Sequence, residues 1–202
     1  MNDGLSSSVS EPGPALRPSD ADVLAMCAEG DEEAARELVR RYQADVLRFV
    51  SRMLGPSDPG LDDLVQLTFL AALQAAGTYG GRSSARTWLI GIAHNKVRME
   101  IRSRTRRRRA MAFLARLRLV EPAARPAEGE RAVVARRIQE AILTLEANRR
   151  AVFVLCEVEG RTAAEVASSM GVPPGTVRRW RADARRALQP KLADLWHSGE
   201  GT

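Results

Sequence analysis

Apolar positions recur at helical spacing through most of the chain, and no segment carries a convincing strand pattern. Behind Asp31, the positions Ala35, Leu38, Tyr42, Val46, Phe49 and Met53 make one continuous stripe, and Asp31 suits the N-cap of that helix. The segment GPSDPG, residues 55–60, stops it. Residues 61–76 predict a second helix that buries Leu61, Val65, Phe69 and Ala72. Asp63, Leu67, Leu70 and Gln74 fall on its other side. Leucines beside polar groups on such a face mark either a protein-binding surface or a side covered by another helix of the same domain. Residues 79–84 predict a loop, with Ser83 or Ser84 free to cap the helix that follows, on which Trp88, Ile92, Asn95 and Met99 share a face. Two more helices are expected over residues 131–145 and 148–158.

The C-terminal pattern is more specific. Thr162 followed three residues later by Glu165 is a capping-box signature, and Ala163, Val166, Ala167 and Met170 repeat at helical spacing before Gly171. Pro174 suits a first helical turn, and Val177, Ala184 and Leu188 form the apolar stripe of the next helix, which carries five arginines. A short helix, a tight turn and a basic second helix are the layout of a helix-turn-helix, whose second helix enters the DNA major groove. The alternative is a solvated basic face on an ordinary helical hairpin.

Charge is divided unevenly along the chain. Residues 19–81 hold 5 basic and 11 acidic side chains, residues 82–118 hold 12 and 1, and residues 131–191 hold 12 and 6. The later segments therefore suit an anion such as nucleic acid, and the acidic one a different partner. Eight arginines and no acid lie between residues 102 and 118, a run suited to phosphates and exposed bases. No apolar run is long enough to span a bilayer, so no membrane insertion is expected. Residues 1–18, rich in Gly, Ser and Pro, read as a disordered tail rather than a signal peptide. Cys27 and Cys156 sit in apolar helical patterns and His94 and His197 are far apart, which argues against a disulfide framework or a metal site and for a reducing cytoplasm. His94 has no evident nucleophile or carboxylate partner. No catalytic constellation, cofactor or metal is expected.

These stretches resemble a family, the bacterial RNA polymerase sigma factors of the extracytoplasmic-function (ECF, sigma-70 group 4) type. DDLVQLTFLAAL resembles its polymerase-binding helix, GRSSARTWLIGIAHN its promoter-opening segment, and RRAVFVLCEVEGRTAAEVASSMGVPPGTVRRWRADARRAL its helix-turn-helix. The resemblance implies an all-α fold of two small helical domains joined by a flexible linker. Residues 19–109 would form a region 2-like domain, 110–131 the linker, 132–192 a region 4-like domain and 193–202 a C-terminal tail. It further implies that Asp63, Gln66, Leu67 and Leu70 dock on core RNA polymerase, at the beta-prime clamp helices, with the beta subunit also in contact. Tyr79, Arg82, Ser83, Ser84, Asn95 and Arg98 would hold the minus-ten element as it opens. Pro173, Gly175, Thr176, Arg178, Arg179 and Ala182 would read the minus-thirty-five element. Family members commonly have an anti-sigma partner as well.

The chain departs from the family pattern at several positions. Leu67 stands where Glu is common, Ala85 and Ile90 where aromatics are common, and Met99 where Asp is common. Arg179, Trp180 and Asp183 replace a typical Ser, Arg and Arg, and Arg181 falls on the expected apolar stripe. A helix-turn-helix regulator that acts without entering the polymerase is the competing reading. It leaves DDLVQLTFLAAL and GRSSARTWLIGIAHN without a role. A metal-dependent nuclease has less to support it, since no carboxylate cluster is spaced for a metal.

Overall fold

The computed structural model describes residues 18–115 and 130–197; the expected tail over residues 1–18, the middle of the linker and residues 198–202 fall wholly or largely outside the described residues. Eight α-helices and no strand occur among them. The first, α1 (Asp20–Ala28), starts with a reciprocal cap in which Asp22 N–H donates to Ser19 Oγ and Ser19 N–H to Asp22 Oδ2. Asp31 caps α2 (Glu32–Leu54) by accepting from the N–H groups of Glu33 and Ala34 at 2.8 and 2.9 Å. Gly55, at φ 103°, ends it in a conformation that a side chain would strain. Next come α3 (Leu61–Ala75), a single 3-10 turn at Ala76–Thr78, and the long α4 (Ala85–Ala115).

After the undescribed stretch, α5 (Glu130–Leu143) and α6 (Ala147–Phe153) lead into one turn of π-helix at Val154–Val158. There Glu159 N–H reaches back to Val154 O at 3.0 Å. The predicted capping box opens α7 (Ala163–Met170): Thr162 N–H donates to Glu165 Oε2 at 2.8 Å and Glu165 N–H to Thr162 Oγ1 at 3.3 Å. Gly171 closes it in the left-handed region, and α8 (Pro174–His197) follows, running through Pro190.

Leu38, Val46, Phe49, Val50, Met53, Leu89 and Val97 are fully buried among α2 and α4, and Val152, Val154, Val177, Ala184 and Leu188 among α6, α8 and the π turn. Cys27 and Cys156 are both buried in the apolar core and carry free thiols. The two groups belong to one connected core, because the halves pack directly on each other, with α4 lying along α7. Sequence pattern predicts two domains on a linker and is silent about this contact.

Four features form the seam. Gly91 of α4 faces the backbone of α7 so closely that a Cβ there would lie 2.3 Å from Ser169 O. Glu159, its side chain 5% exposed, accepts from Arg52 of α2 at 3.0 Å and pairs with Arg86 of α4 at 3.5 Å. Buried Arg150 donates to three carbonyls, Met53 O at 2.5 Å, Leu143 O at 2.6 Å and Leu145 O at 2.9 Å, so one guanidinium serves the ends of α2 and α5 together. Gln139 Nε2 donates to Arg52 O at 3.0 Å.

Candidate functional site

Exposure separates three surfaces. On α3, Leu64, Val65, Thr68, Phe69 and Ala72 are buried, while Asp63, Gln66, Leu67 and Leu70 point outward. Leu67 is 47% and Leu70 56% exposed, so no helix of the same domain covers them. Leu61, expected in the core, is only half-buried, and Leu64 takes the inward position. Leu67 and Met99 line an open groove of about 1090 Å³ that is bounded on its far side by Thr144, Leu145 and Arg150. Met99 is 64% exposed, and two exposed apolar side chains on one groove are a surface suited to a protein partner.

The second surface runs along the start of α4. Of the two serines, Ser84 is the one that caps the helix: its Oγ accepts from Thr87 N–H at 3.2 Å and lies 2.9 Å from Thr87 Oγ1. Tyr79 is turned inward. Its hydroxyl donates to Ser83 O at 2.6 Å and its ring meets Trp88 edge-on at 5.5 Å, so it braces the loop. Arg82 and Ser84 are exposed and Ser83 is half-buried. Asn95 is exposed and Arg98 half-buried, its Nε without a hydrogen-bond partner. Asn95 lies eleven residues beyond Ser84, about 16 Å along the axis at roughly 1.5 Å per residue. The six residues thus form a line rather than one pocket. Part of the basic run is already engaged: Arg104 forms a two-pronged pair with Asp58 and a 2.7 Å bond to Glu100, which also pairs with Arg107 at 3.0 Å.

The third surface is the start of α8. Pro173 O accepts from Thr176 N–H at 2.9 Å, which leaves Pro174 in the first turn, where its missing N–H costs nothing. Pro173, Gly175, Arg178, Arg179 and Ala182 are exposed, Thr176 is half-buried, and Val177, Ala184 and Leu188 face the core as the stripe predicts. Among the described residues neither Arg178 nor Arg179 has an ion-pair partner. A Cβ added at Gly175 would meet nothing within 4 Å, so that side of the helix start is open.

The sequence pattern misses the partners of the other arginines on α8. Glu157, in the π turn, accepts from Arg181 Nε at 2.5 Å, Arg185 Nε at 2.7 Å and Arg185 Nη2 at 2.8 Å. The bond from Arg181 and then the bonds from Arg185 hold the Glu157 carboxyl down at about 2, against a smaller opposing effect of burial. This also explains why a cation can stand at position 181: its head reaches sideways to a carboxylate while its stem covers the core edge. Asp183 pairs with Arg149 at 3.7 Å and Arg186 at 3.5 Å. No helix of the described residues is long and apolar enough to cross a membrane, and no group of three or more potential metal ligands occurs among them.

Comparison with known proteins agrees with this layout. Residues 38–107 match the Sigma-70 region 2 family and residues 135–188 the Sigma-70, region 4 family. The chain is 36% identical over 168 residues to the ECF RNA polymerase sigma factor SigC of Mycobacterium tuberculosis, covering 83% of this chain and 86% of that one. Its fold is similar to that of CnrH, solved in complex with the cytosolic domain of CnrY, with a TM-score of 0.62, 24% identity, and coverage of 88% of this chain and 99% of that one. It is also similar to the sigma factor RpoE of Bartonella quintana, solved with the anti-sigma factor NepR, with a TM-score of 0.58, 21% identity, and coverage of 78% and 96%. Both region matches fall in the expected order on the two helical halves, and the chain belongs to the ECF class of RNA polymerase sigma factors.

Proposed function

We propose that this sigma factor joins core RNA polymerase through the outward face of α3, where Asp63, Gln66, Leu67 and Leu70 dock on the beta-prime clamp helices, with further contact to the beta subunit. Arg82, Ser83, Ser84, Asn95 and Arg98 line the path of the minus-ten element along α4, and Tyr79 supports that path from behind by fixing the loop. Extruding a base from the stack costs a few kcal/mol, which contacts along this path must offset. Thr176, Arg178 and Arg179 enter the major groove at the minus-thirty-five element, with Pro173, Gly175 and Ala182 shaping the approach. The protein is not itself an enzyme, needs no cofactor, and acts in the cytoplasm. An anti-sigma factor is a further partner, in keeping with the fold neighbour from Bartonella quintana that was solved with one.

The observation that carries this reading is the pair of exposed leucines on α3 beside Asp63 and Gln66, on the same chain as a helix-turn-helix whose second helix opens with Arg178 and Arg179, without ion-pair partners among the described residues. Run-off transcription with purified core polymerase tests it. The reading requires initiation from a defined promoter class only when the protein is added, together with co-purification with core. Tight binding of the isolated protein to duplex operator DNA, without any association with core, would instead establish the regulator that works outside the polymerase.

A further inference from the structure

We infer that Glu157 is a positioning residue that divides the arginines of α8 into two sets, holding Arg181 and Arg185 away from the DNA phosphates so that α8 grips DNA through its first turns alone. This rests on the reading that α8 enters the major groove. At about 100° per residue, Arg185 points within about 20° of Arg178, and Ala182 within about 40° of it. Arg185 is therefore aimed at the same side of the helix as a residue placed in the groove, two turns further along, and its side chain is 60% exposed. Nothing in the packing prevents it from reaching a phosphate. What restrains it is the two-pronged bond from Nε and Nη2 to the two oxygens of Glu157, in the fork geometry that suits guanidinium and carboxylate best. Arg181, on the core side of Arg185, donates to Oε1 of the same carboxylate.

The geometry has a direct consequence for recognition. A guanidinium on a phosphate adds affinity for every sequence and none for a particular one. With Arg181 and Arg185 both bound to one carboxylate, and Arg186 beside Asp183, the exposed cations of α8 on the groove side that have no ion-pair partner among the described residues are Arg178 and Arg179. Glu157 sits in the π turn, whose extra residue per turn shifts side-chain directions relative to the preceding α6. The carboxylate is thereby fixed to the scaffold and not to α8 itself.

The test uses reconstituted holoenzyme and a duplex library randomised across the upstream promoter element. The duplex enriched by wild-type holoenzyme and a scrambled duplex of equal length are then titrated across a salt series. Glu157→Gln, which removes the charge and keeps the shape, should bind the scrambled duplex more tightly. Its salt slope should steepen by about one to two on both duplexes, as expected for one or two new phosphate contacts, while the enriched-to-scrambled ratio stays as in the wild type. Glu157→Asp should recover most of the wild-type slope. Arg185→Gln alone, on an exposed side chain, should leave slope and ratio unchanged, and combined with Glu157→Gln it should cancel part of the steepening.

A folded Glu157→Gln variant with unchanged salt slope overturns the inference, whether its binding is kept or uniformly lost. Because Glu157→Gln could fail to fold, Arg185→Gln decides independently: a slope shallower by about one means that Arg185 already touches phosphate, and the inference falls. Failure of the reading beneath it looks different, since wild-type holoenzyme would then enrich no upstream sequence and Arg178→Ala would change nothing.

Discussion

Arg178 and Glu157 show how much of the recognition surface is settled by individual partners. Arg178 is exposed and, among the described residues, without an ion-pair partner, so replacing it with Ala breaks no salt bridge there. If it bonds a guanine edge at two points, Arg178→Ala lowers promoter affinity by about 1–3 kcal/mol at that base and leaves core binding intact. Fluorescence anisotropy on matched and mismatched promoters reads this out, and equal loss on every sequence would mark a phosphate contact. His94 is the opposite case, 2% exposed with neither ring nitrogen hydrogen-bonded and Asn148 of α6 as its polar neighbour. Burial, helped by the nearby Arg98 charge, pulls it from the ordinary 6.5 down to about 4. The unfolded chain therefore takes up a proton that the folded chain refuses, and stability falls as pH drops from about 6.5 toward about 4, by about 3 kcal/mol in all. Urea titrations at stepped pH should show this slope in the wild type and a flatter one in His94→Leu.

At the scale of elements, what the sequence discloses is what lies close along the chain. Caps at Asp31 and at Thr162 with Glu165, the glycine stop at Gly171 and the stripe from Val177 to Leu188 are set by neighbours two to seven residues apart, which is why pattern alone finds them. Leu67 and Leu70 are legible as an outward pair, and the structure removes the alternative that another helix hides them. The π turn and Arg52–Glu159, partners 107 residues apart in sequence, follow no spacing rule, so nothing in the pattern announces them. Tyr79 belongs between these cases, correctly placed in the loop before α4 but turned inward by Ser83 O and Trp88. For α3 the expected outcome of Leu67→Asp with Leu70→Asp is weaker association with core polymerase in a pull-down and an unchanged helical circular dichroism spectrum. A collapsed spectrum would mean that the two leucines support the domain rather than a partner.

On the proposed reading, in which α4 holds the minus-ten element and α8 the minus-thirty-five element, the molecule is packed too tightly to engage both at once. Elements named for positions ten and thirty-five lie about 25 base pairs apart, about 85 Å at roughly 3.4 Å per base pair. Helices in contact sit only about 8–10 Å apart, and α8 is about 36 Å long. With α4 lying along α7, the two halves must part before both elements are engaged. Glu159, nearly enclosed between Arg52 and Arg86, is the charge most sensitive to that parting. Glu159→Lys should enlarge the radius of gyration seen by small-angle X-ray scattering above the roughly 17 Å of a compact chain of this length. An unchanged radius would show that the shared core and the close backbone approach at Gly91 hold the halves without the ion pairs.

Arg150 adds a thermal consequence. One guanidinium closes the carbonyl ends of α2 and α5, so neither half can lose its last turn without stranding donors or acceptors that belong to the other. Scanning calorimetry of the intact chain should accordingly record a single heat-absorption peak. Arg150→Met, which leaves those carbonyls unanswered, should split it in two, so that a joined pair of domains behaves on heating as separate bodies.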